Sequence, residues 1–205
     1  MTAESVPRHS PLAHAADRFR TVTRLSGGAL RLAEVPYLTQ LTVRAEPGGP
    51  AVSGAERVLG LPLPTEPNTL TRRGSRTALW MGPDEWLVLA PPEEAGVLED
   101  RLREALADEE SAAVADVSGQ RTTVLVGGPA SHELLARGCA LDLHPRAFRG
   151  GCAQTTLAHA PVVLVARGAQ KPGFWVLVRS SYAGHLGAWL LDAATEYTSV
   201  LVGEW

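Results

Sequence analysis

The chain has 205 residues, of which 45% are hydrophobic and 20% charged, so it has ample apolar material for a core and is not disordered by composition. A formal net charge of -3 excludes the clustered basic excess that phosphate backbones require, so nucleic acid is not an expected partner. Two cysteines, Cys139 and Cys152, are too few for a disulfide framework. The polar stretch Met1 to Ser10 contains Pro7 and lacks the apolar run of a signal peptide, and the apolar stretch 160–166 is far too short for a membrane span. A cytoplasmic protein with reduced thiols and no membrane partner is expected.

In chain order, 18–25 and 29–35 read as two strands joined at Ser26-Gly27-Gly28, where glycine permits a positive φ. Leu41 to Arg44 is a short strand. Pro47-Gly48-Gly49-Pro50 breaks the chain and 51–59 forms a helix, followed by a connection broken by Pro62, Pro64 and Pro67. Strands at 77–81 and 85–90 flank Gly82-Pro83-Asp84, a tight hairpin turn. A helix opens at Pro91-Pro92-Glu93-Glu94 and buries Leu98, Leu102, Ala105 and Leu106 at helical spacing, with Glu99 and Arg103 paired on its solvated face. Beyond the midpoint come a strand at 122–126, a helix at 129–137 and strands at 154–157, 162–166 and 174–178. A last helix is capped by Ser180 or Ser181 and runs to about Tyr197, with Leu186, Leu190, Ala193, Ala194 and Tyr197 as its buried stripe.

The two halves repeat one order. Gly48-Gly49-Pro50-Ala51 matches Gly127-Gly128-Pro129-Ala130, each opening a helix that ends at Gly60 or Gly138. Trp86-Leu87-Val88-Leu89 matches Trp175-Val176-Leu177-Val178, each a strand leading into a long helix. The implied fold class is α+β, with two duplicated β-α-β-β-α units that share one core. The expected organisation is an N-terminal arm (1–17) and a single α+β domain (18–205), whose pseudo-symmetric halves divide at about 118/119.

Several groups invite a chemical reading. Gly127-Gly128-Pro129 stands at a strand-to-helix junction where backbone amides can hold an anion, but it lacks the sequence of a phosphate loop, and helix entry is the preferred reading. Cys139, His144, Cys152 and His159 are separated by four, seven and six residues and lack the close pairs that pre-order a zinc site. No nucleophile-elbow, metalloprotease or nucleotide-loop motif is present, and Asp84 and Glu85 are adjacent residues whose side chains point to opposite faces of a strand. No catalytic residue and no metal is therefore assigned to this chain. The segment Asp116-Val117-Ser118-Gly119-Gln120-Arg121 links the halves and is unusually polar; Gln120 and Arg121 either satisfy buried carbonyls at the junction or bond a carboxylate of a partner or ligand. Trp80, Trp86, Trp175 and Trp189 fall in elements and are expected in the core, whereas the terminal Trp205 is a candidate anchor on a partner. Leu12, in the apolar island His9-Ser10-Pro11-Leu12, docks on the body or on another chain.

Read together, Ser10-Pro11-Leu12, Gly82-Pro83-Asp84-Glu85-Trp86-Leu87, the 116–121 segment, Gly138-Cys139 with Leu141-Asp142-Leu143, Phe148 with Gly151-Cys152-Ala153-Gln154-Thr155, and Arg179-Ser180 resemble the gamma subunit family of heterotetrameric sarcosine oxidase. The resemblance implies a structural, non-catalytic subunit of a complex that oxidatively demethylates sarcosine to glycine and hydrogen peroxide, with one-carbon transfer to tetrahydrofolate. It implies alpha, beta and delta subunits as partners, with FAD, FMN, NAD, zinc and tetrahydrofolate held there and no cofactor in this chain. It also implies a fold similar to the folate-binding domain of aminomethyltransferases, with duplicated ferredoxin-like halves and mainly antiparallel sheets. A Lys-Gly-Cys-Tyr-x-Gly-Gln-Glu segment marks some folate-binding relatives. Residues 149–155 partly echo it, without its Tyr and Glu, which makes Gly151, Cys152 and Gln154 the folate-groove candidates. Leu12, Gln120, Arg121 and Trp205 are the subunit-interface candidates. A stand-alone folate-binding or one-carbon transfer protein is the alternative reading.

Overall fold

The computed structural model describes residues 8–144, 146–148, 150–168 and 172–198. Its first element differs from expectation. A single 3-10 turn (Ala13–Ala15) leads into helix α1 (Ala16–Leu25), where the sequence reading had placed a strand over 18–25. The spacing of Ala15, Phe19 and Val22 decides the matter: they fall on one helical face, and all three are buried. Asp17 in the first turn and Arg24 in the last suit the helix dipole.

Thereafter the halves run in parallel. Strand β1 (Arg31–Val35) precedes β2 (Thr39–Arg44), helix α2 (Pro50–Leu59), β3 (Leu70–Arg73), β4 (Arg76–Gly82), β5 (Glu85–Ala90), helix α3 (Ala95–Leu106) and β6 (Ala113–Asp116). The second half repeats β7 (Arg121–Gly127), α4 (Ser131–Ala136), β8 (Cys152–Leu157), β9 (Ala160–Ala166), β10 (Gly173–Arg179) and α5 (Ser180–Ala193). The sheet orders are β3-β4-β5-β2-β6 and β1-β7-β10-β9-β8. Reversed, the second becomes β8-β9-β10-β7-β1 and superposes strand for strand on the first, with antiparallel neighbours throughout. The α+β fold of two duplicated, antiparallel units is therefore as expected. Two short strands, β3 and β6, extend what the sequence reading had left as connection and junction.

One strand crosses the expected boundary. In the first sheet the edge beside β2 is β6, which follows α3; in the second the edge beside β7 is β1, from the N-terminal part of the chain. Residues 12–35 thus belong physically to the C-terminal half. The open edge of β1 is closed by α1, whose Thr23 hydroxyl accepts the Leu32 N–H at 3.0 Å and donates to the Leu32 carbonyl at 3.3 Å. An arm of 1–17 is likewise too long: Leu12 is completely buried among Phe19, Leu186 and Leu190.

Strand alternation builds three apolar layers. Val124, Val126, Leu164 and Val176 face α1, α4 and α5; Leu41, Val43, Trp86 and Val88 face α2 and α3. The opposite faces, with Leu79, Leu87, Leu89, Cys152, Val163, Val165 and Leu177, meet between the sheets as the shared core. The Pro-rich connection is held across one end by Trp86, whose indole N–H donates to the Pro64 carbonyl at 2.7 Å. Trp80, Trp175 and Trp189 are only partly buried. Gly60 closes α2 in the left-handed region (φ 72°), whereas Gly138 serves a different purpose: a Cβ there would lie 2.6 Å from the Trp189 ring. Among the described residues no helix is long and apolar enough to cross a membrane.

Candidate functional site at the junction of the halves

Beside the shared core the halves make two polar contacts among the described residues that hold the sequence candidates, which divide between them. Gly151, Cys152 and Gln154 lie at the first, where the start of β8 crosses the connection before β3. The Cys152 N–H donates to the Asn68 carbonyl at 3.0 Å, and a Cβ on Gly151 would stand 2.1 Å from that same oxygen. Only glycine admits two backbones this close. The Cys152 thiol faces the Thr69 and Trp80 carbonyls at 3.2 and 3.5 Å, and burial pushes it up to about 11. Gln154 donates from Nε2 to the Met81 carbonyl at 2.8 Å. These groups fasten one sheet to the other and do not line the cavity described next. The Gly-Gly-Pro helix entry resolves similarly, because a Cβ on Gly128 would strike the Ala29 carbonyl at 2.4 Å and the Ala130 N–H is bonded to that oxygen.

The second meeting place is a cavity of about 640 Å³. Its walls come from the N-terminal segment (Arg8, His9), the β1–β2 connection (Tyr37), the segment 116–122, and the first residues of both long helices (Ala95, Gly96 and Ser180). The linker between the halves turns tightly here. Asp116 accepts the Ser118 N–H at 2.8 Å and also the Ser118 hydroxyl, and the Gln120 N–H closes the turn on the Val117 carbonyl at 2.9 Å. Ser180 does not cap α5: its N–H bonds the Gln120 carbonyl at 2.9 Å and its hydroxyl the Gly119 carbonyl at 3.2 Å, which ties the helix to the junction.

Gln40 is the residue that sequence reasoning missed. It is 1% exposed, it donates from Nε2 to the Arg121 carbonyl at 3.1 Å, and its backbone bonds both Val117 and the Ser118 hydroxyl. A glutamine among Leu41 and Val43 in a buried strand was the available signal. Tyr37 (φ 63°) and Glu93 (φ 72°), two left-handed non-glycine residues on the cavity wall, gave none.

With those carbonyls satisfied from elsewhere, the side chains of Gln120 and Arg121 are released. Gln120 is exposed and Arg121 half-buried. Among the described residues the Arg121 guanidinium makes no hydrogen bond or ion pair. Burial, followed by the like charge of Arg179 directly opposite on β10, pulls its pKa below the ordinary arginine value, while Glu85 opposes weakly. The cavity wall holds Arg8, His9 and Arg121 against Glu93 and Asp116. Of the remaining interface candidates, Leu12 lies within this chain's own core, where an incoming partner has no access to it, and Trp205 lies outside the described residues.

Comparison with known proteins now places the chain. The model of the sarcosine oxidase gamma subunit family matches residues 44–196. The chain belongs to that family. It is 37% identical over 194 residues to a sarcosine oxidase subunit gamma of Corynebacterium sp. (strain P-1), covering 94% of this chain and 92% of the relative. It is 38% identical over 197 residues to one of Arthrobacter sp., covering 95% of this chain and 94% of that one. Among solved structures it matches a chain of the heterotetrameric sarcosine oxidase from Corynebacterium sp. U-96 with a TM-score of 0.85 and 34% identity, over 93% of this chain and 96% of that one. The glycine cleavage system aminomethyltransferase T of Bartonella henselae shares the fold, with a TM-score of 0.61 at 13% identity over 84% of this chain and 49% of that one. The family therefore carries the aminomethyltransferase-like architecture expected from the sequence.

Proposed function

We propose that the chain is the gamma subunit of a heterotetrameric sarcosine oxidase and that its work is assembly, not chemistry. The observation that carries this reading is the match along nearly the whole chain to a subunit of a solved sarcosine oxidase heterotetramer. On this reading the alpha, beta and delta subunits are its partners in the cytoplasm. They hold FAD, FMN, NAD, zinc and tetrahydrofolate, and the complex oxidatively demethylates sarcosine to glycine and hydrogen peroxide, passing the one-carbon unit to tetrahydrofolate. The gamma subunit buttresses the larger chains through its rigid two-sheet body.

Co-expression with the other three subunits tests the proposal. The expected result is co-elution as one particle with four kinds of chain; a stable monomer that ignores the others refutes it. Removal of Trp205 is expected to lower the yield of complex while leaving the flavin absorption spectrum of the complexes that form unchanged, since aromatic side chains are enriched at the centres of protein interfaces.

A further inference from the structure

The two sheets are twins, but their corresponding edge strands are finished differently. On β1, in the second sheet, the N–H and C=O of Leu32 are both taken by the Thr23 hydroxyl of α1. On β6, in the first sheet, pairing is with β2 alone. The Val117 N–H donates to the Gln40 carbonyl at 2.9 Å, which continues that pairing one residue beyond Leu41 and Asp116. Main-chain groups alternate sides along a strand. Those of Ala115 and Ala113 therefore also point at β2, and those of Val114 and Asp116 point away from it. Among the described residues the outward N–H and C=O groups of Val114 and Asp116 have no hydrogen-bond partner. Ala113, Ala115 and Asp116 are exposed and Val114 is half-buried.

Open edges are normally blunted by charge, proline, a bulge or a covering segment. The far edge of the same sheet, β3, carries Arg72 and Arg73. In the other sheet β8 is pinned at one end by the Asn68 carbonyl and at the other by the bridge from Cys139 to Leu157. By contrast, β6 reads Ala-Val-Ala-Asp and keeps regular register with β2 throughout. Its one carboxylate, on Asp116, is occupied by the Ser118 N–H and hydroxyl. Shortness is the main protection this edge has.

We infer that β6 is the docking edge for an extended segment of a partner subunit, which adds a strand to the first sheet through main-chain hydrogen bonds to Val114 and Asp116. The inference rests on the assembly reading and names a surface for it. Water satisfies the outward groups in the free chain, so whatever covers them must replace those bonds. An extended strand replaces all of them, because its own N–H and C=O groups alternate with the same period. A helix has bonded its main-chain groups internally and offers only side chains. The small side chains of Ala113 and Ala115 leave room for larger ones on the incoming strand. A pair of copies held by this edge alone falls far short of the roughly 1,200 Å² that a stable interface buries. The edge therefore serves as one contact within a larger interface between unlike chains.

The test uses the full-length chain co-expressed with its tagged alpha, beta and delta subunits. Residue-resolved hydrogen exchange on the unaltered chain is expected to show the Val114 and Asp116 amides slowing by about tenfold or more on assembly. Smaller changes are expected at Ala113 and Ala115, whose N–H groups already face β2; coverage by side chains alone does not produce that alternation. Val114→Pro removes an outward donor and spares the ladder with β2, since proline is tolerated on an edge strand where its nitrogen faces solvent. It is expected to lower the amount of chain retained on the partners by about tenfold, while the free chain still unfolds cooperatively. Retention at the unaltered level overturns the inference, as does unchanged exchange at Val114 and Asp116 in a complex that forms. Should Val114→Pro not fold, the exchange pattern of the unaltered chain decides by itself. Slowing of those two amides as the free chain is concentrated makes a second copy the occupant and overturns the partner. Failure of the unaltered chain to join the other subunits removes the assembly reading itself, and this edge with it.

Discussion

The two junctions between the halves solve the same problem in opposite ways. At the β3–β8 crossing the backbones touch at a glycine, and the Cys152 N–H, the buried Cys152 thiol and the Gln154 amide each bond a carbonyl of the other half. At the β2–β7 crossing Gln40 and Ser180 satisfy the linker carbonyls, and the Arg121 side chain is half-buried beside a cavity, without an ion pair among the described residues. The first contact is closed and serves cohesion. The second is satisfied in its backbone, while the Arg121 guanidinium has no hydrogen bond or ion pair among the described residues. Polar density alone does not separate the two, whereas the tally of partners does.

That contrast can be broken by substitution, and the closed junction is expected to respond most. Gly151→Ala forces a methyl group into the Asn68 carbonyl and is expected to lower unfolding free energy by about 4 kcal/mol, because backbone on both sides leaves nothing flexible to give. Denaturant unfolding checks this, and unchanged stability means that the crossing is looser than the geometry requires. Next comes Leu12→Ala, expected to cost about 3 kcal/mol as a cavity in a fully buried layer. A Cβ on Gly187 would stand 2.8 Å from a Leu12 methyl, so Leu12→Ala combined with Gly187→Ala is expected to cost less than the two changes added together, by about 1 kcal/mol. Strict additivity in that cycle would show that Leu12 does not sit against α5.

The Cys152 thiol gives a smaller effect with a defined sign. Its folded pKa of about 11 lies above the ordinary thiol value of 9.0, so the unfolded chain ionises first. The stabilising contribution is complete below about pH 9 and is lost as pH rises through 11. A stability profile that falls over this window, and is flatter in Cys152→Ala, is expected. An identical slope in both proteins would assign the fall to other groups. At neutral pH the same thiol should react slowly with alkylating reagents until the chain unfolds. The open junction is expected to respond least in the isolated chain: Arg121→Gln should change unfolding free energy by no more than about 1 kcal/mol, since no partner is lost and a partly desolvated charge is removed. A large destabilisation would make Arg121 a cohesive residue like those of the first junction.

Much of the fold was legible because its signals are local. Gly82-Pro83-Asp84 closes the β4–β5 hairpin, Leu98, Leu102 and Leu106 mark the inner face of α3, and the paired Gly-Gly-Pro-Ala and Trp-strand motifs announced the duplication. The clearest misreading, α1 as a strand, came from a short segment with Thr and Val near its middle, where β-branched residues and alternating polarity mimic a two-residue period. The site was legible only in part. Arg121 stood out by its type and position, but its freedom depended on Gln40, a residue in another strand of the other half.

By itself the sequence determined most of the element types, the repeat and the family resemblance, since each depends on residues near one another in the chain or on an order of motifs along it. Tertiary structure alone decided that β1 completes the second sheet, that Gly151 lies against Asn68, and that Leu12 is core. It also decided that of two polar junctions one is closed and one is left open. These outcomes depend on which distant groups arrive beside each other and which hydrogen bonds they have left to give, and neither is encoded in any local stretch.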